Sequence, residues 1–329
     1  QLVRPMTKEE VSQNALIPAV LLRGTQDHPD LRAITAQLDM LYGTAVGPIV
    51  RRIGDYQTVG LYCGFMEDRF ALPGDRILGP MIDFVWEVLL NCAVENGHFL
   101  PEIVESKKKN LIATIESELN DKRAYAMSQL LKTMCREDTF GVPRLGETED
   151  VEKITPESLY AHYQCILKTS PIEIFYVGSA DQKTVADLLR PMLGKLCREP
   201  EVLAPQTGFA ACAGTDEVET MDVAQGKLCM GFVTPTTLRD KEFVATQIFN
   251  TIFGGGMISK LFMKIREEQS RCYDIGSSYH GSKGILTVSA GIDTEQYDKA
   301  RQEIFAQLDA CCRGEFTQEE IACAKQVLI

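Results

Sequence analysis

The chain reads as an α+β fold built from one unit used twice, with antiparallel sheets flanked by helices. Three observations predict it. The order helix, glycine, helix, strand, strand, helix occurs in both halves. The two occurrences keep an offset of about 230 residues, so Gly24 falls on Gly254, Leu41-Tyr42-Gly43 on Cys272-Tyr273-Asp274, and Asp68 near Asp293. A stretch rich in Pro, Gly and Ala, REPEVLAPQTGFAACAGTDE (198–217), separates them and reads as a linker. The expected domains are therefore residues 1–197 and 218–329.

The elements follow from local patterning. TKEEVSQNALIPAVLLRG (7–24) has helical spacing, a Thr cap and a terminal Gly. HPDLRAITAQLDMLYG (28–43) is a second helix ending in Gly. Residues 45–55 and 56–67 are strand-like and joined by a tight turn. Helices are predicted over 77–97 and 101–136, the second opened by Pro101 and Glu102 and rich in charge. PESLYAHYQCIL is another helix, IEIFYVG (172–178) a short apolar strand, and DQKTVADLLRPML the last helix of this half. In the second half, GKLCMGFVT (226–234) is a strand. Helices are expected over 237–255 and 257–269. Two strands lie on either side of a turn at Ser282-Lys283, and a helix follows over 293–312. TQEEIACAKQVLI starts with a capping pair, Thr317 and Glu320, and stops in mid-helix, so the second domain is expected to be incomplete.

Composition narrows the function. A net charge of −12 argues against nucleic acid, whose phosphates need a basic surface, and suits basic or neutral peptides or plain solubility. The eleven cysteines are odd in number and contain no CxxC. Cys63, Cys92, Cys165 and Cys229 sit in apolar sequence, as reduced core thiols do, so a cytoplasmic location is expected. No apolar run is long enough to span a bilayer.

The chemical candidates are few. In FGGGMISKLFMKIREEQSRCY (253–273), Gly254, Gly255 and Gly256 follow a helix, so neither a P-loop nor a Rossmann fingerprint is complete. They read as a helix C-cap, as a place where another backbone can approach closely, or as an anion cradle. The four histidines, His28, His98, His162 and His280, have no metal-binding spacing. His162 reads as a hydrogen-bonded packing residue, and His98 as a cation at a helix end. No nucleophile-elbow or thiol-protease pattern occurs. Glu116/Glu118 and Glu267/Glu268 read as solvated helix faces.

IFNTIFGGGMISKLFMKIREEQSRCYDIGSSYHGSKGILTVSAGID resembles the second-domain signature of the insulinase-like M16 family of zinc metallopeptidases, and the likeness extends over nearly the whole chain. It implies two domains of M16 type (LuxS/MPP-like metallohydrolase) forming half of a clam-shell. Active members carry HxxEH shortly before a Lys/Arg-Gly-Thr. Here Arg23-Gly24-Thr25 is in place, but Ala15 and Ala19 stand at the histidine positions and Pro18 at the general base. Glu116 is the candidate for the third ligand. Without imidazoles or a base, the resemblance implies a non-catalytic member with no zinc of its own, similar to the bacterial YmfF-like group.

In two-subunit members, the subunit lacking HxxEH supplies an arginine and a tyrosine spaced R-x6-Y. Arg266 and Tyr273 have that spacing. The resemblance thus implies a heterodimer with an HxxEH-bearing paralogue, in which Arg266 and Tyr273 complete the partner's site and Gly254, Gly255 and Gly256 contact an extended peptide. A guanidinium can grip a carbonyl or carboxylate, and a phenol can donate to an oxyanion. The alternative is a structural or peptide-binding scaffold with no part in catalysis. A homodimer is also open.

Overall fold

In the computed structural model, residues 1–203 and 214–329 are described, so the middle of the expected linker, 204–213, lies outside the described residues. The chain divides into two compact units, residues 1–116 with 142–204, and residues 117–141 with 205–329.

The first unit opens with β1 (Leu2–Pro5), α1 (Val11–Leu21), α2 (Leu31–Met40), β2 (Ala45–Ile53) and β3 (Tyr56–Gly64). Then come α3 (Leu78–Leu90), β4 (Val94–Glu95), β5 (His98–Phe99) and α4 (Pro101–Ser117). The chain next leaves for the second unit through α5 (Lys122–Met134) and returns as α6 (Thr148–Glu152), α7 (Pro156–Thr169) and α8 (Gln182–Leu193). The sheet order is β1-β3-β2, antiparallel throughout. Gly54, with φ +59°, makes the β2–β3 turn at little steric cost. Its core is lined by Leu16, Ile17, Val20, Phe84, Val88, Val104, Leu159 and Ile166.

The second unit continues with β6 (Gly226–Val233), α9 (Phe243–Phe253) and a π-helix (Leu261–Glu268). It ends with β7 (Asp274–His280), β8 (Ile285–Ile292), α10 (Tyr297–Cys312) and α11 (Gln318–Leu328). Its sheet order is β6-β8-β7, again antiparallel, so the duplication shows in the topology. Every residue of the central strand β8 is buried, because both faces are covered. Phe253, Leu261, Ile265, Ala300 and Ile304 pack on one face. Helix α5 lies on the other: a Cβ at Gly231 would come within 2.5 Å of Met134 Sδ. Lys283, fully buried at the β7–β8 turn, pairs with Asp138 just past α5 at 2.9 Å and ties that helix to the sheet.

Several expectations need correction. The helix expected over 77–97 ends at Leu90, and a small hairpin follows. Asn96 (φ +53°) and Gly97 (φ +82°) supply the two left-handed residues of a tight hairpin turn. His98 therefore lies on β5 rather than at a helix end. The helix expected over 101–136 breaks at Asp121, whose carboxylate caps α5 through the amides of Arg123 and Ala124. In the segment expected as a strand over 172–178, only Ile172 bridges, to Leu2, while Phe175 is 77% and Val177 98% exposed. Backbone bonds from Val3 N–H to Pro171 C=O and from Glu173 N–H to Gln1 C=O hold the start of the segment beside β1. Cys165 is exposed, whereas Cys92 is buried and Cys63 and Cys229 are half-buried. The Thr317–Glu320 capping box forms as expected.

Candidate functional site

The resemblance places its degenerate zinc motif on α1. The helix is apolar nearly all round, and Ala15 and Pro18 are buried with it, while Ala19 is half-buried. Pro18 has no N–H, so the helix forgoes the bond that Asn14 C=O would accept. Asn14 Oδ1 instead meets His162 Nε2 at 2.7 Å, the packing role expected of that histidine. Burial holds the His162 imidazole below its ordinary value, with Glu10 opposing and Arg4 assisting. Glu116 is exposed near the end of α4. Alanine and proline side chains carry no lone pair for a metal, and among the described residues no group of three His, Cys, Asp or Glu could hold one. The donor set does not fit zinc.

The glycine loop of the second unit is built by close packing. Gly254 caps α9 with φ −154°, so it is not the left-handed cap that glycine often serves. Its amide donates to Asn250 C=O at 2.9 Å, and its carbonyl accepts from Ser277 N–H on β7 at 2.8 Å. A Cβ on Gly254 would lie 2.6 Å from Ser277 Oγ and 2.7 Å from Leu261 Cδ1. Ser277 Oγ also donates to Asn250 Oδ1 at 2.7 Å, a clasp between helix and strand. Gly255 is nearly as crowded, against Thr251 Cα at 2.9 Å. Gly256 has open space around it.

Arg266 projects from the π-helix, a local form frequent at functional sites. Its guanidinium lies over the Phe262 ring at 4.5 Å and 3.4 Å from Glu267. Tyr273 stands just before β7, its amide donating to Gly291 C=O. Its ring is 51% exposed, and its hydroxyl donates to Asp293 at 2.8 Å. That bond raises the phenol above its ordinary value, so it remains a donor at neutral pH. Arg266 and Tyr273 thus flank one short turn, each with its own contact.

Asp293 as Tyr273's acceptor was not foreseen. The repeat aligns Asp68 near Asp293, yet Asp68 accepts from the amides of Ile77 and Leu78 at the start of α3, which lowers its carboxyl. The counterpart of the Tyr273–Asp293 bond is Tyr42 to Asp75, at 2.5 Å. The tyrosines align and the aspartates do not, because the loop after β3 is longer than the one after β8.

A family described as "Peptidase M16 inactive domain" matches residues 153–328. A Bacillus subtilis protein named "Probable inactive metalloprotease YmfF" is 30% identical over 328 residues, covering 100% of this chain and 77% of that one. The chain belongs to the M16 peptidase family. It is an inactive-type M16 homologue, in line with its donor-poor α1. An uncharacterized zinc protease of Mycobacterium tuberculosis is 23% identical over 74% of this chain and 56% of its own length. Among solved structures, a conserved protein from Enterococcus faecalis superposes with a TM-score of 0.92 at 26% identity, covering 99% of this chain and 77% of that one. A peptidase M16 inactive domain from Pseudomonas fluorescens gives 0.79 at 17% identity, covering 99% and 76%. The M16 fold with antiparallel sheets and flanking helices is therefore this chain's fold. Among the described residues no helix is long and apolar enough to cross a membrane.

Proposed function

We propose that this chain is the non-catalytic subunit of a two-subunit M16 peptidase. It binds no zinc, helps hold an extended peptide, and lends Arg266 and Tyr273 to the zinc site of an HxxEH-bearing paralogue. The observation that carries this reading is one exposed turn that presents both a guanidinium and a phenol, Arg266 with 39% of its side chain in solvent and Tyr273 at 51%. The phenol would donate to the oxyanion that forms as a peptide carbonyl turns tetrahedral, and the guanidinium would grip a neighbouring carbonyl. Within the glycine loop, Gly256 is the position open to a substrate backbone. The location we propose is the cytoplasm, since buried thiols such as Cys92 and Cys272 suit a reducing compartment.

The test is recovery of the protein from its native cells, identification of co-purifying chains, and assay on a quenched peptide mixture with and without a zinc chelator. An HxxEH partner and chelator-sensitive cleavage are expected. A homodimer without cleavage overturns the reading. A scaffold role is the second reading, favoured by the intramolecular partners that Arg266 and Tyr273 already have. On that reading, Arg266→Ala leaves turnover of any assembled complex unchanged.

A further inference from the structure

The β4–β5 hairpin turns on Asn96-Gly97, and Asn-Gly occurs nowhere else in the chain. Both residues are exposed and hold left-handed backbone, at φ +53° and +82°, which asparagine and glycine tolerate better than other residues. The turn joins two strands of two residues each, Val94 pairing with Phe99 and Glu95 with His98. So short a ladder adds little resistance to local opening. Among the described residues, neither the Asn96 carboxamide nor the Gly97 N–H makes a hydrogen bond. A Cβ placed on Gly97 would meet nothing within 4 Å, so the space beside its nitrogen is open. The other asparagines are placed differently. Asn14 is fully buried against His162, Asn91 donates to Asp27, Asn250 accepts from Ser277, and Asn110 lies within α4. Each of them, like Asn120, is followed by a residue whose side chain crowds the next amide nitrogen.

We propose that Asn96 is a site of self-modification, converting through a cyclic imide with Gly97 to isoaspartate and aspartate. The Gly97 nitrogen, its proton given up to water, attacks Cγ of Asn96. The N–Cγ bond forms, the Cγ–Nδ2 bond breaks, and ammonia leaves with a proton regained from water. A water molecule then opens the imide ring at one of its carbonyls, and the nitrogen recovers its proton. Opening at the side-chain carbonyl leaves aspartate. Opening at the main-chain carbonyl leaves isoaspartate, whose backbone runs through the former side chain and is longer by a methylene. Either product adds a negative charge next to Glu95. The longer backbone also strains the hairpin, because Phe99 is held in place. Its ring is 1% exposed and packs edge-on against Tyr160 at 5.2 Å and beside Tyr163 at 5.4 Å. The short ladder of β4 and β5 therefore gives way first. The site stands independently of the partner-completing role proposed for Arg266 and Tyr273.

Ageing the purified, folded chain in mildly alkaline buffer, beside the free peptide of residues 92–101, tests it. Peptide mapping by mass spectrometry, against synthetic aspartyl and isoaspartyl standards, follows each asparagine. Asn96 is expected to be lost first, with isoaspartate the larger product. Turn tips open at little cost, so folding should slow that loss by no more than about tenfold relative to the free peptide. Asn96→Gly keeps the left-handed turn and removes the carboxamide. Hydrogen exchange across residues 94–99 should quicken in the aged wild type and stay unchanged in aged Asn96→Gly. The proposal is overturned if Asn96 outlasts another asparagine in the folded chain, if folding slows its loss beyond that factor, or if the isoaspartate-bearing chain exchanges across 94–99 as the fresh chain does.

Discussion

The hydroxyl of Tyr273 donates to the carboxylate of Asp293 at 2.8 Å, holding an exposed ring in one orientation ahead of β7. The bond keeps the phenol protonated and aimed, at the cost of occupying its proton. For it to serve a substrate oxyanion, the Tyr273 hydroxyl must redirect its hydrogen bond from Asp293 to the new acceptor. Tyr273→Phe removes only that hydroxyl at an exposed position, so stability should change by no more than about 0.5 kcal/mol. Turnover of the assembled complex, by contrast, should fall by about 10²-fold, as for loss of one oxyanion donor. Equal turnover of wild type and variant, measured on the quenched peptide mixture, would sink the role given to the phenol.

The glycine loop makes a sharper prediction about stability. Gly254→Ala forces a methyl against Ser277 and Leu261, and overpacking of that kind costs about 1–3 kcal/mol. Gly256→Ala meets nothing and should be neutral for folding. Urea midpoints of the two variants separate them. If both are neutral, the loop is not packed as described.

Lys283 and Asp138 form a buried ion pair, with no exposure of the lysine side chain. Lys283→Ala leaves the carboxylate without its cation and should cost about 3–5 kcal/mol. Hydrogen exchange should then accelerate first in α5, since the pair ties the end of that helix to the β7–β8 turn. A uniform loss of protection throughout the second unit would argue against that anchoring.

Thiols wholly or partly withdrawn from solvent set an alkaline limit. Burial pushes Cys63, Cys272 and Cys311 each up to about 11, from an ordinary value of 9.0. Below pH 9 both the folded and unfolded states keep these protons, and nothing is lost. Between about 9 and about 11 the unfolded chain releases protons that the fold retains, so stability falls as pH rises. Urea midpoints from pH 8 to 11 should show the decline, and a variant with all three cysteines replaced by alanine should show a shallower one. Equal slopes would refute the assignment.

Much of the architecture was legible because it rests on local chemistry. The β2–β3 and β7–β8 hairpins, the repeat and the Thr317–Glu320 cap all follow from alternation, turn residues and spacing. The β4–β5 hairpin was legible too, in Asn96-Gly97, but was lost inside an apolar run that suits a helix equally well. Strand β1 is too short for its alternation to register. In the site, the R-x6-Y spacing of Arg266 and Tyr273 and the residues Ala15, Pro18 and Ala19, which the resemblance sets at its zinc-motif positions, stand in the sequence itself, while the roles given to them are proposals. Asp293 could not, because a hydrogen bond between residues 20 positions apart depends on where β8 ends. The crowding at Gly254 was equally hidden, since Ser277 meets it only once β7 is laid beside α9.

The passage of residues 117–141 into the second unit has a consequence for how the protein can be taken apart. No single cut yields both units whole. Severing the chain in the linker would leave α5 attached to a fragment that lacks its sheet, with Leu130 and Met134 turned to water, while β6 and β8 lost the cover over Gly231. A gene split there would give two partners that must find each other before either is complete. The duplication that the strands record is therefore not a pair of modules that one cut would separate.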